Sequence, residues 1–251
     1  MGSTFLTLAK NEEGTAEIFY SLQGEGPRIG RPSTFIRLSG CNLYCHWCDT
    51  PYTWNWEGTQ FAHEGGVKFC KESEQLRFSV ESLVEQLSNI TCKNYVITGG
   101  EPLVQQKSLV ELFTTLREHF PEATFDIETN GTITPTAELD EFVTTYVISP
   151  KLENSRVEEK HRVKDNAWHW FADSDKASFK FVAAQEADLE EIQTLCERFG
   201  VDRSRVYLMP LGHDDATMQN HQFAVGEMCL KYGYQFSDRL HLRLYGAKRG
   251  V

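Results

Sequence analysis

Cys41, Cys45 and Cys48 are spaced C-x3-C-x2-C and follow a β-like run, Phe35-Ile36-Arg37-Leu38, that ends at Gly40. Three thiolates this close can hold three corners of a cuboidal [4Fe–4S] cluster, which contains four irons and ordinarily takes four Cys. Three ligands leave one iron open to a ligand from outside the protein. The competing chemistry is structural zinc, which asks for four ligands, commonly in two C-x2-C pairs. The sequence has no second pair, and His46 between the ligand positions gives at best a strained Cys3His set. The remaining cysteines, Cys70, Cys92, Cys196 and Cys229, are scattered and read as small buried hydrophobes. Seven Cys in this uneven pattern do not make a disulfide framework.

Other chemistry-bearing groups also stand at the ends of apolar runs. Thr98-Gly99-Gly100-Glu101-Pro102 closes one such run, and glycines there let the backbone approach a ligand closely. Glu128-Thr129-Asn130-Gly131-Thr132 closes a second and Ser149-Pro150-Lys151 a third, while Lys180 sits inside a fourth. Arg37 offers a guanidinium that can grip a carboxylate through two parallel bonds, or can form an ion pair at a strand end. Thr50 offers a hard oxygen for a divalent cation, or a helix cap. His241 is a lone histidine, open to a ligand role or a structural one.

The elements that must position these groups are legible as periodicities. Runs at 34–38, 95–98, 124–127, 145–148, 178–182, 206–209 and 240–244 are rich in Val, Ile, Leu, Phe and Tyr and read as strands. Between them, Val80, Leu83, Val84 and Leu87 follow helical spacing, as do Leu109, Leu112, Phe113 and Leu116. Leu189, Ile192, Leu195, Cys196 and Phe199 make a third face closed by Gly200, and Ser79 suits the N-cap of the first. Alternation of this kind implies an α/β fold with a parallel sheet and right-handed crossovers. Too few strands are visible for a closed eight-stranded barrel, so a partial, open parallel β/α barrel is expected, with chemistry at the carboxyl ends of the strands. Residues 54–77 and 153–175 show neither period and are expected to be irregular insertions in a single domain spanning 1–251.

The bulk numbers agree with an ordinary globular chain: 251 residues, 40% hydrophobic and 24% charged. A net charge of −11 argues against a nucleic-acid partner and for a small-molecule substrate, or a partner that carries its own positive charge. No apolar run approaches the length of a bilayer span, and the N-terminal residues lack a basic segment leading into an apolar one. With the clustered Cys, this points to a reducing, cytoplasmic setting.

The Cys loop together with Gly99-Gly100-Glu101 resembles the radical S-adenosylmethionine (SAM) superfamily. The resemblance implies a radical SAM-type open barrel in which SAM chelates the vacant iron through its amino and carboxylate groups and is cleaved to a 5′-deoxyadenosyl radical. Finer motifs narrow it. Gln23-Gly24-Glu25-Gly26, Cys48-Asp49-Thr50, Glu128-Thr129-Asn130-Gly131-Thr132, Ser149-Pro150-Lys151 and Lys180-Phe-Val together resemble the 7-carboxy-7-deazaguanine synthase (QueE) family of queuosine and 7-deazapurine biosynthesis, from about residue 17 onward. That likeness implies conversion of 6-carboxy-5,6,7,8-tetrahydropterin to 7-carboxy-7-deazaguanine with loss of ammonia. It further implies regenerated SAM, a Mg²⁺ ion at Thr50, an electron donor such as flavodoxin or ferredoxin, and a homodimer. It places Trp47, Cys48, Asp49, Gly100, Glu128, Thr129, Asn130, Ser149, Pro150 and Lys151 against SAM. It places Leu22, Gln23, Gly24, Glu25, Arg37, Thr98 and His241 against the pterin. Two other readings compete: a glycyl-radical-enzyme activating protein of the same superfamily, and a non-catalytic partner-binding regulator.

Overall fold

The computed structural model describes residues 4–250. One ten-stranded sheet organises them: β1 (Phe5–Ala9), β2 (Ile18–Leu22), β3 (Pro32–Leu38), β4 (Gln75–Ser79), β5 (Asn94–Gly99), β6 (Thr124–Thr129), β7 (Val143–Ile148), β8 (Ala177–Ala183), β9 (Val206–Pro210) and β10 (Gln235–Phe236). Its order is β10-β9-β8-β7-β6-β5-β3-β1-β4, with β2 paired to β3. The run from β3 to β10 is parallel throughout, and β1, β2 and β4 join it antiparallel. The helices are α1 (Lys71–Glu74), α2 (Val80–Ser88), α3 (Gln106–His119), α4 (Ala137–Asp140), α5 (Glu159–Arg162), α6 (Asp165–Asp173), α7 (Glu186–Phe199), α8 (Asp215–Tyr232) and α9 (Leu240–Tyr245). The longer ones cross over between parallel strands.

Strand periodicity of two divides the work. Tyr95, Ile97, Phe125, Ile127, Tyr146, Phe179 and Phe181 face the helices and are fully buried with the apolar stripes of α2, α3 and α7. Phe113 of α3 stacks on Phe125 of β6 at 4.1 Å. The alternate residues, Arg37, Thr98, Glu128 and Lys180, face the concave side. The parallel strands therefore carry an apolar outer face that holds the fold and a polar inner face that is free for chemistry.

Local signals act as the sequence suggests. Ser79 accepts the Ser82 N–H at 3.2 Å and caps α2. Gly200 takes a left-handed φ of 69° and ends α7.

Three expectations are corrected. Residues 240–244 form α9, not a strand: the alternation of Leu240, Leu242 and Leu244 mimics period two, but only Leu242 is buried, and the turn is tied down by Leu240 N–H donating to Gly24 O at 2.9 Å. Residues 54–77 end in α1 and in most of β4, which pairs with β1 from Phe5↔Ser79 to Ala9↔Gln75. Residues 153–175 contain α5 and α6, and Trp168 of α6 is core, stacked on Phe179 at 5.5 Å and on Phe199 at 4.8 Å. Clustered charges in this segment hide the helix, because Trp168 and Phe171 are among its few buried side chains.

Truncating Trp168 to Ala is therefore expected to cost about 3–5 kcal/mol of folding stability, the range for emptying a buried aromatic site. Equilibrium denaturation of the variant measures it, and a loss below about 1 kcal/mol would mark the segment as the loose insertion that its composition suggests.

Candidate active site

A cavity of about 210 Å³ opens at the carboxyl ends of the parallel strands. The cluster loop forms one wall, with Cys41, Cys45, Trp47, Cys48, Asp49 and Thr50. The β2 loop forms another with Leu22, Gln23, Gly24 and Glu25, and Arg37, Thr98, Gly100, Glu128, Thr129, Asn130, Ser149, Lys151 and His241 are also among the lining residues. Of the residues that the resemblance places against the cluster, SAM, Mg²⁺ or the pterin, Pro150 alone does not line it.

The cluster loop is held from several sides. Gly40 N–H donates to Thr53 O at 2.8 Å, and Glu101 N–H donates to Gly40 O at 2.8 Å. Gly100 packs against the loop so tightly that a Cβ would lie 2.2 Å from Gly40 O, and a Cβ on Gly99 would lie 2.0 Å from Leu38 O. Only glycine fits there, which is the physical content of the Gly-Gly pair. The carboxylate of Glu101, fully buried, accepts from Leu103 N–H, Thr129 Oγ1 and Asn130 N–H, at 3.0, 2.8 and 2.7 Å. Asn130 Nδ2 donates to Asn42 Oδ1 at 2.9 Å, and Asn42 Nδ2 to Thr132 Oγ1 at 2.8 Å. The side chains of Thr129 and Asn130 thus brace the cluster loop, and what they offer a ligand is chiefly backbone. The two segments expected to be irregular also brace it: His46 N–H donates to Ser155 O and Glu64 N–H to His46 O, both at 2.9 Å, and His63 Nε2 lies 2.8 Å from Cys48 O.

The donors fit a three-ligand cluster. Leu43 and Val157 surround the thiols with apolar surface, and burial pushes Cys45 up to about 12 and raises Cys41 and Cys48 as well. Iron must therefore displace protons on loading. Leu43 N–H donates to Cys41 Sγ at 3.4 Å, a contact that favours the thiolate. Among the described residues no three His, Cys, Asp or Glu side chains converge on one ion position. Thr50 precedes a 3-10 turn without capping it, and its Oγ1 shares a hydrogen bond with Cys48 Sγ at 3.6 Å on the cavity wall.

Opposite the thiols lies a dense charge cluster. Glu25 is bonded to Lys180 through one oxygen and to Arg239 Nε at 2.9 Å through the other. Arg239 extends to Asp49 and donates from Nη1 to Gly212 O at 2.6 Å. Burial alone would raise the Glu25 carboxyl; the two cations outweigh it and hold the group well below the ordinary carboxylate range. Asp49 is likewise lowered, with Arg239 overcoming the cost of burial. His241 packs on Gly24, where a Cβ would meet Nδ1 at 2.1 Å, and burial lowers its pKa. Glu128 accepts from Gln23 Nε2 at 3.1 Å and from Thr98 Oγ1 at 2.8 Å, which ties β5, β6 and the β2 loop together. Lys151 donates to Ser149 Oγ at 2.9 Å and stands over the Trp47 ring at 5.4 Å. Arg37 uses Nε on Glu17 at 2.7 Å, with its side chain still reaching the cavity wall.

Sequence reasoning missed the structural weight of Lys180, Arg239, Glu101 and Glu17. Lys180 had a signal, a charge within an otherwise apolar strand; Arg239 had none, because its partners lie 27 to 214 residues away.

Replacing Arg239 by Met is expected to destabilise the fold by about 3–5 kcal/mol at neutral pH, since Glu25 and Asp49 lose a buried partner. The sign with pH follows from the shifts: a lowered Glu25 and a raised Lys180 give stability that is full between the ordinary glutamate and lysine ranges. That stability is lost as pH falls through the folded-state value of Glu25 or rises through that of Lys180. Denaturation of Glu25→Gln beside the wild type should show a gap that narrows in acid; a gap that widens would contradict the assignment.

The chain matches known proteins over most of its length. A family profile described as a 4Fe-4S single cluster domain matches residues 22–166. The 7-carboxy-7-deazaguanine synthase of Pyrobaculum aerophilum is 35% identical over 235 residues, covering 93% of this chain and 95% of the relative. The enzyme of the same name from Rhodopirellula baltica is 34% identical over 249 residues, covering 94% and 88%. Among solved structures, the crystal structure of QueE from Escherichia coli superimposes with a TM-score of 0.65 at 26% identity, covering 94% of this chain and 95% of that one.

Proposed function

The chain belongs to the 7-carboxy-7-deazaguanine synthase family, and from that membership we propose how its residues divide the work. It is a radical SAM enzyme that converts 6-carboxy-5,6,7,8-tetrahydropterin to 7-carboxy-7-deazaguanine with loss of ammonia. Neither the glycyl-radical-activating reading nor the regulator reading is favoured beside this membership. The observation that carries the assignment is convergence: three thiols, the Arg37 guanidinium and the Glu25 carboxylate line one cavity at the strand ends.

In this reading Cys41, Cys45 and Cys48 hold three irons, and SAM takes the fourth beside Gly100. When bound, the cluster supplies the electron that cleaves SAM into a species able to abstract a substrate hydrogen. The protein's own part is to hold and orient. Thr129, Asn130 and Ser149 contribute the strand-end backbone along SAM, with Trp47, Asp49, Glu128 and Lys151 at its polar groups; Pro150 fixes the turn behind them. Arg37 takes the pterin carboxylate. Glu25, kept ionised, accepts the N–H groups of the pterin edge and cannot donate. Leu22, Gln23, Gly24, Thr98 and His241 line the same ligand. Thr50 would hold Mg²⁺ with its hydroxyl oxygen, Asp49 standing beside it, since Mg²⁺ takes few protein ligands and keeps several waters.

The wider setting is part of the same proposal. The chain acts as one radical SAM domain in the cytoplasm, reduced by a flavodoxin or ferredoxin. A homodimer finds support in the exposed Phe223 and Leu230 of α8, beside the free edge of β10.

Anaerobically reconstituted protein, supplied with reductant, SAM, Mg²⁺ and the carboxypterin, should yield the deazapurine by mass spectrometry and bind about four irons per chain. Cys41→Ala, Cys45→Ala and Cys48→Ala should each lose iron and product. Product formation by an iron-free variant, or none by the loaded wild type, would refute the assignment. Omitting Mg²⁺ should lower turnover, and Thr50→Val should weaken the dependence on the ion.

A further inference from the structure

Arg37 commits only one edge of its guanidinium to the protein. Nε donates to Glu17 Oε1 at 2.7 Å, and the backbone N–H of Arg37 donates to Glu17 O at 3.1 Å. Glu17 is 1% exposed, and its second oxygen accepts the Tyr52 phenol at 2.9 Å. Tyr52, itself buried, follows the cluster loop by one short turn. Over its ring lies the guanidinium of Arg249, 3.5 Å from the centroid, and Arg249 Nη1 stands 3.3 Å from Glu74. A continuous chain of contacts therefore runs from the C-terminal segment, through the loop after the cluster, to the cavity wall.

The geometry has a directional consequence. A guanidinium on a long side chain has many rotamers, and its planar fork recognises a carboxylate only when aimed. An acceptor fixed on Nε aims the opposite edge, and a carboxylate with two donors is itself fixed. Resting on the reading that Arg37 takes the substrate carboxylate, we propose that Glu17, Tyr52 and Arg249 are positioning residues that set the direction of its fork. Preference for a carboxylated pterin then depends on a cation at residue 249, which never touches the substrate. Charge neutralisation by Glu17 alone would act in the opposite sense, because removing that anion would strengthen the pull of Arg37 on a carboxylate.

The test compares Tyr52→Phe, Arg249→Ala and Arg249→Lys with the wild type in the reconstituted enzyme. Two readings are taken: KM and kcat for the carboxytetrahydropterin, and the inhibition constant of tetrahydropterin lacking the 6-carboxyl. In Tyr52→Phe, KM should rise about tenfold, the equivalent of one misaligned charge-assisted bond, with kcat and the inhibition constant within about twofold of the wild type. Arg249→Ala, at a part-exposed site, should move KM the same way by a smaller factor, and Arg249→Lys should restore it. An unchanged KM, or equal losses for both ligands, would overturn the proposal while wild-type turnover left the function standing. A loaded wild type without turnover would overturn the function, and this proposal with it.

Discussion

Glu25 lies buried between two cations, and much of the molecule is arranged to keep it there. A parallel sheet that stops short of closure leaves a seam, which here falls between the β2 loop and the chain that follows β10. Strand pairing does not span it: β10 is two residues long and pairs with β9, and β2 pairs with β3. Two hydrogen bonds cross instead, Gly26 N–H to Ser237 Oγ at 2.8 Å and Leu240 N–H to Gly24 O at 2.9 Å, together with the Glu25–Arg239 ion pair. Lys180 reaches the same carboxylate from inside the sheet. Desolvating such charges is expensive, and good geometry with extra hydrogen bonds is what makes the arrangement tolerable. Arg239 meets that condition with contacts to Glu25, Asp49 and Gly212.

The consequence for chemistry is that seam, cavity wall and cluster loop form one mechanical unit. Asp49 follows Cys48 directly, so the cation that closes the seam also holds the loop that carries the thiols. On the far side of the cavity, Glu101 after β5 and Asn130 after β6 hold the same loop, at Gly40 O and at Asn42. A loop with little regular structure is thus fixed by polar contacts from four directions. Radical chemistry asks for such fixation, since the protein's share is orientation and exclusion of side reactions.

The sequence made the inner wall legible because its motifs are local: each sits at the end of a strand whose apolar character is visible within five or six residues. Six of the seven expected strands lie within β3, β5, β6, β7, β8 and β9. The antiparallel additions β1, β2 and β4 went unseen, being short and flanked by polar residues. Residues 240–244 failed because three alternating leucines fit a strand and a single helical turn equally well. Long-range partners were the larger loss. Nothing near Glu17 announces that Tyr52 will donate to it, and nothing near Arg239 announces two carboxylates from the other end of the chain. Residue type gave the chemistry at each position, and only folding gave the pairing.

A double-mutant cycle between Glu25 and Arg239 addresses the seam directly: Glu25→Gln, Arg239→Met and the pair, each read by equilibrium denaturation at neutral pH. If a buried ion pair closes the open barrel, either single change strands the other charge and the double change relieves it, with a coupling of about 3 kcal/mol. Additive losses, with coupling below about 0.5 kcal/mol, would show that the two residues act independently and that something else holds the seam.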